Sequence, residues 1–103
     1  MSYLVQVLLP LKDNDGQPQP PSLFRSLEAE LATVFGGVTA YTQSPARGRW
    51  VDPGGDVSKD EIVLIEVSTE EIDTIWWVTL RKRLAAEFRQ ETIVIRATEI
   101  ELL

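Results

Sequence analysis

Two runs in this chain read as strands that other strands must flank. Tyr3 to Leu9 is apolar at nearly every position, partly β-branched, and stopped by Pro10. Glu61 to Val67, Glu-Ile-Val-Leu-Ile-Glu-Val, is the strongest strand signal in the sequence. A strand apolar on both faces is usually central in its sheet. With 103 residues, the chain from 1 to 103 reads as one domain with one core, too short for two.

The rest is arranged around Phe35 to Trp50. Gly36-Gly37 directly follows an apolar-periodic run and is a helix stop, because glycine reaches the left-handed cap conformation without a Cβ clash; Gly37 is expected to hold the positive φ. Val38 to Gln43 then alternates small apolar with polar residues and reads as a strand. Ser44-Pro45 and Gly48 are expected to break it, leaving Arg47, Arg49 and Trp50 together on a loop.

The remaining elements follow in order. Asp13-Asn14-Asp15-Gly16 and three further prolines form a turn and stiff extended chain. The acidic turn fails as a calcium loop, with Pro18 where the glycine belongs and Phe24 where the bidentate Glu belongs. Helix 1 starts near Ser22 as N-cap, with Leu23, Leu27, Leu31 and Val34 on one stripe, Phe24 and Phe35 beside it, and Arg25, Ser26 and Ala29 facing away. Val51 to Lys59 is a surface loop whose Gly54-Gly55 lacks the Lys-Ser/Thr of a phosphate cradle. Ser68-Thr-Glu-Glu71 has the spacing of a capping box. It opens helix 2, about Thr69 to Gln90, with Trp77, Leu80, Leu84 and Phe88 innermost, Trp76 at the flank, and Ile75 and Val78 on the opposite side. Thr92 to Ala97 is the last strand, with the tail to Leu103 continuing it.

The order β-α-β-β-α-β is the split βαβ arrangement of ferredoxin-like α+β folds. Its strand order, 4-1-3-2, puts the two apolar strands in the middle of a four-stranded antiparallel sheet. Right-handed crossovers place both helices on one sheet face and leave the other bare. If Val5, Val7, Val63, Ile65, Ile93 and Ile95 face the helices, then Leu4, Gln6, Leu8, Thr39, Tyr41, Ile62, Leu64, Glu66, Val94 and Arg96 form the bare face, which is too apolar for water alone.

Composition removes several chemistries. Without cysteine or histidine there is no thiolate, no imidazole base and no zinc site of the usual kind, so neither metal nor cofactor is expected. A net charge of −6 repels phosphate backbones and anionic lipid, so nucleic acid and membrane are not expected partners. The N-terminus has no basic region, and Gln6 interrupts its apolar run, so it reads as a strand rather than a signal or span.

Three motifs in order, Phe35-Gly-Gly-Val-Thr39, Gly48-Arg-Trp50 and Phe88-Arg-Gln-Glu-Thr92, resemble a family of small bacterial domains of unknown function. Members show Phe-x-x-Gly-Leu-Thr, Gly-x-Trp and Phe-x-Gln-Glu-Ser/Thr segments. The resemblance covers Phe35 to Arg96, about two thirds of the chain, and departs at Gly37-Val38. It implies a fold and points at residues, and supplies no activity. The chain lacks the secretory or lipoprotein leader of many similar proteins, so the expected location is cytoplasmic.

Three constellations carry candidate chemistry. Arg96, Gln6, Glu66 and Tyr41 fall side by side across the bare face, an ion pair with flanking amide and phenol that could floor a small-ligand site or satisfy itself inside a homodimer interface, the preferred reading. Arg47, Arg49 and Trp50 could fork a carboxylate or phosphate against an aromatic; the preferred reading makes Trp50 an anchor for its loop and the arginines solvated. Arg81-Lys82-Arg83 splays around helix 2 and reads as a solvated face. Two function classes result: an interaction or ligand-binding domain that pairs as a homodimer, or a cofactor-free enzyme of the dimeric α+β barrel kind acting on a small organic acid. In the second, Glu66 is the base, Tyr41 the acid and Arg96 the anion anchor.

Overall fold

The computed structural model describes residues 1–51 and 57–103, and the side chains of 1–41 and 61–103. Its elements are β1 (Ser2–Pro10), α1 (Pro21–Phe35), β2 (Thr39–Val51), β3 (Val57–Thr69), α2 (Thr74–Glu87) and β4 (Val94–Ile100). The strands form one antiparallel sheet in the order β2-β3-β1-β4. This is the expected 4-1-3-2 order read from the other edge, with the two most apolar strands in the centre.

Strand parity decides which side chains become core. Val5, Val7 and Leu9 of β1 and Val63, Ile65 and Val67 of β3 are buried in one cluster with Phe24, Leu27 and Leu31 of α1 and Trp77, Leu80 and Leu84 of α2. Both helices therefore cover the same face. Ile93 is buried just ahead of β4, and Ile95 packs half-buried against the cluster. Phe88, fully buried one residue past α2, meets Phe24 edge to face at 5.3 Å. At the other end of the helix layer Phe35 stacks on Trp77 at 5.2 Å, while Trp76 stands edge-on to both rings.

The helix ends differ from expectation in each case for a local reason. α1 begins at Pro21, one residue ahead of Ser22, with Pro20 as an N-cap that makes no side-chain bond. A proline in the first turn has no N–H to satisfy, so the usual cap is dispensable. At its exit Gly36, not Gly37, takes the left-handed conformation (φ 81°), and its N–H reaches Ala32 O at 2.8 Å. α2 begins at Thr74, because Ser68 and Thr69 are still in β3, paired with Leu4 and Tyr3 of β1. Its N-cap is Asp73, whose Oδ1 accepts from Trp76 N at 3.1 Å.

Three apolar positions depart from expectation. Val34 is 52% exposed rather than part of the α1 stripe. Ile75 does project outward at 80% exposure, but Val78 is half-buried beside β4. Ile62, placed on the bare face by parity, is only 6% exposed.

β2 does not stop at Pro45. It continues to Val51, with a register irregularity between Tyr41 and Ala46, and pairs Arg47 with Glu61, Arg49 with Lys59 and Trp50 with Ser58. β2 is an edge strand, where a residue without an N–H is tolerated, above all at an irregularity. Arg47, Arg49 and Trp50 thus sit on a strand and not on the expected loop. Their side chains, and with them the anion fork and the Trp50 anchor, lie outside the described residues. Of the loop expected from Val51 to Lys59, Val51 ends β2 and residues 57–59 open β3, extended by pairing between the two strands, while 52–56 lie outside the described residues.

The acidic turn after β1 closes on itself. Asp13 Oδ1 accepts from the backbone N–H of Asp15 at 2.9 Å and of Gln17 at 3.0 Å. Arg89, at φ 51°, aims its guanidinium at Asp15 Oδ2 at 3.1 Å and Asp13 Oδ2 at 3.7 Å. Buried Gln19 donates from Nε2 to Phe88 O at 2.6 Å, and Gln90 Nε2 donates to Lys12 O at 2.8 Å. These bonds tie the β1–α1 connection to the end of α2.

Candidate functional site

The face opposite the helices carries the polar row. Gln6, on central β1, stands opposite Glu66 of β3 on one side and opposite Arg96 of β4 on the other. The three side chains point the same way and are joined. Arg96 Nε donates to Gln6 Oε1 at 2.8 Å, and Gln6 Nε2 donates to Glu66 Oε2 at 3.0 Å.

The sequence suggested an ion pair flanked by an amide. The structure instead joins each charge to the amide that lies between them. Arg96 and Glu66 are two strand spacings apart, about 10 Å, and Gln6 spans them with its oxygen toward the cation and its nitrogen toward the carboxylate. Each bond has one ionised partner, which makes it stronger than a neutral one. The charges also fix the amide's orientation, since the flipped amide would set donor against donor and acceptor against acceptor.

Tyr41 completes the row from β2. Its backbone is level with Leu64 while Thr39 is level with Glu66, so the phenol reaches Glu66 along the diagonal, a distance an aromatic side chain can span. The hydrogen bond to the Glu66 carboxylate raises the Tyr41 pKa, the carboxylate's charge adds to the effect, and desolvation contributes least. The row therefore runs guanidinium, amide, carboxylate, phenol across all four strands. Leu4, Leu8 and Leu64 lie half-buried around it, while Tyr41 is 48% and Val94 46% exposed.

Of the seven candidate residues, the structure brings Gln6, Tyr41, Glu66 and Arg96 together. Arg47, Arg49 and Trp50 occupy the outer part of the β2–β3 ladder, and their side chains lie outside the described residues. The expected row order already set Gln6 between Arg96 and Glu66; what it missed is that the amide bonds both charges in place of an ion pair. Strand order carried that signal, because β1 lies between β4 and β3 and keeps the charges two strand spacings apart.

Fold and row together define the class: an α+β domain of ferredoxin-like topology with a hydrogen-bonded polar row on its uncovered sheet face. No protein-family model matches the chain, and no curated protein matches it. Solved structures do. A divalent cation tolerance protein (Cut A1) from Thermus thermophilus superposes with a TM-score of 0.64 at 19% identity, over 97% of this chain and 84% of that one. A phage SAM lyase in complex with S-methyl-5'-thioadenosine superposes with a TM-score of 0.62 at 16% identity, over 95% of this chain and 81% of that one. At such identities the likeness is one of fold. Among the described residues, no helix is long and apolar enough to cross a membrane.

Proposed function

We propose that the protein is a small interaction or ligand-binding domain that works as a homodimer, joined through the uncovered face of its sheet. The observation that carries this reading is that Arg96, Gln6 and Glu66 are joined to one another across the face. Gln6 uses its oxygen on Arg96 and its nitrogen on Glu66, and the Tyr41 phenol lies near enough to the Glu66 carboxylate for its pKa to be raised. Polar groups entering a dry interface need partners, or they cost the desolvation that burial imposes. A row already joined brings fewer unmet groups to an interface, where the remaining guanidinium N–H groups can face the partner's row, and Leu4, Leu8, Leu64 and Val94 supply apolar surface around it. Kinship with the small bacterial domains whose motifs the chain resembles belongs to the same proposal.

The enzyme reading fits less well. As a general base Glu66 would work with its Oε2 already accepting from the Gln6 amide, which holds the carboxylate in its charged, unreactive form. A phenol whose pKa is raised also gives up its proton less readily, the wrong direction for an acid working near neutrality. The phage lyase has this fold and binds a nucleoside thioether, so the fold itself does not stand against catalysis; the pairing within the row does.

Sedimentation equilibrium across the micromolar range tests the proposal. The wild type should run as a dimer. Leu64→Lys, which sets like charges against each other at the centre of the joined faces, should run as a folded monomer with an unchanged circular dichroism spectrum. A wild type that stays monomeric at every concentration, or a Leu64→Lys protein that stays dimeric, overturns it.

A further inference from the structure

The uncovered face carries a pattern that repeats on the two sides of β1. Leu4, Gln6 and Leu8 form its midline, spaced two residues apart and so on one side of the strand. Thr98 of β4 and Ser68 of β3 flank Leu4, Arg96 and Glu66 flank Gln6, and Val94 and Leu64 flank Leu8. Along the strands the face thus has three levels. One has a hydroxyl on each flank, the next a cation opposite an anion, and the last an aliphatic side chain on each flank. Among the described residues neither Arg96 nor Glu66 makes an ion pair. Arg96 spends its Nε on Gln6, and its two outer nitrogens have no hydrogen bond among those residues.

Two sheets that close face to face about a two-fold axis hold that axis in the plane between them. An axis along β1 exchanges the flanks and keeps the levels. Arg96 then meets the partner's Glu66, Val94 the partner's Leu64 and Thr98 the partner's Ser68, so every level is matched. An axis across the strands keeps the flanks and exchanges the outer levels. It sets arginine on arginine, glutamate on glutamate, and Val94 and Leu64 on hydroxyls. An axis along the gap between β1 and β3 turns Arg96 to the partner's Thr39, which is level with Glu66 on β2, and forms no ion pair. Facing sheets lie about 10 Å apart, a gap that arginine and glutamate side chains reaching from opposite sides close. Aligned sheets cross at about 30°, which moves a flank one strand spacing from the axis by only about half of that spacing, so the levels stay matched.

We propose that two copies of the chain join about an axis along β1, with Arg96 of each paired to the partner's Glu66. The inference rests on the homodimer reading above and gives it a geometry. The β1 strands of the two copies run in the same direction, Leu4 and Leu8 meet their own counterparts, and two ion pairs flank a central pair of Gln6 amides. The amide that joins the charges within one copy also holds them in place for the other. Like-charge contacts disfavour the crossed arrangement and lost ion pairs the shifted one, so charge fixes the register of the interface more than its affinity.

Sedimentation equilibrium compares the wild type with Arg96→Glu, with Glu66→Arg and with the swap carrying both, each checked for a wild-type circular dichroism spectrum. The wild type should be a dimer. Each single variant should dissociate about a hundredfold more readily, since like charges meet at two symmetric places. The swap should return to within about tenfold of the wild type. Native mass spectrometry of isotope-labelled wild type mixed with the swap should show the two pure dimers and almost no mixed one, because a mixed pair sets arginine on arginine and glutamate on glutamate. The chain has no cysteine, so Leu8→Cys offers a measurement that leaves the charges alone. A short bismaleimide should link two copies through it, and adding Arg96→Glu should remove the link. Single variants that pair as tightly as the wild type, mixed dimers at half or more of the total, or no link through Leu8→Cys overturn the axis while the homodimer stands. A wild type that is monomeric throughout overturns both.

Discussion

Gly36 is where a single backbone angle decides the end of α1. At φ 81° an added Cβ meets nothing within 4 Å, so the whole penalty is conformational. Gly36→Ala should therefore destabilise by about 1–2 kcal/mol, while Gly37→Ala, away from positive φ, should be neutral or stabilise by up to about 1 kcal/mol. Thermal melts of both variants check this, and equal shifts would refute it. The sequence announced a stop at the glycine pair but could not say which glycine caps, because either satisfies the pattern. The polar row was more legible, since parity and strand order put four residues on one line; the order of charges along it depended on β1 lying in the middle.

Tyr41 offers a pH test at the same scale. Its hydrogen bond to Glu66 raises its pKa above the ordinary phenol value of about 10. Between the two values the folded state holds a proton that the unfolded state has lost, so stability falls as pH rises. The contribution is fully present below the unfolded value and disappears as pH climbs through the folded one. In a Tyr3→Phe background, where Tyr41 titrates alone, the 295 nm absorbance midpoint should lie above that of the same protein in urea. Adding Glu66→Gln should bring it down, since the carboxylate supplies both the strongest cause and the next. An unmoved midpoint would show that the phenol and carboxylate are not joined in solution.

At the scale of elements, the start of α2 shows a long-range ladder overriding a local signal. Ser68-Thr-Glu-Glu71 has a capping box's spacing, yet Ser68 and Thr69 pair with β1, and Thr69 Oγ1 donates instead to Glu71 O at 3.0 Å. Asp73 caps the helix three residues ahead of Trp76. Asp73→Ala should thus cost about 1 kcal/mol, the usual loss for an N-cap, and Ser68→Ala, on an exposed strand end, less than half of that by urea unfolding. The reverse ranking would restore the capping box. β2 errs the same way: Pro45 and Gly48 looked like breakers, but an edge strand with an irregular register absorbs both. Local chemistry marked the existence of all six elements, while pairing across the sheet moved their ends.

For the molecule as a whole, the two central strands narrowed the sheet order to 4-1-3-2 or 2-1-3-4, and the split βαβ arrangement selects the first. The helices cover one face of that sheet and leave the row with its leucines on the other. If two copies close over that face, folding and association are linked, and stability must depend on protomer concentration. For 103 residues the unfolding enthalpy is on the order of 70 kcal/mol per chain near 60 °C. A dimer that unfolds to two separate chains should then melt about 3–4 °C higher for each tenfold rise in concentration. Leu64→Lys should remove the dependence, melting at one temperature throughout, because its folded form is already single. The contrast matters more than either absolute value, since Leu64→Lys also loses half-buried leucine surface and will melt lower for that reason alone. Scanning calorimetry over a hundredfold dilution reads it directly. A wild-type midpoint that does not move would mean that the leucines around Gln6 and Glu66 face water in the folded protein, and the dimer would have to be abandoned.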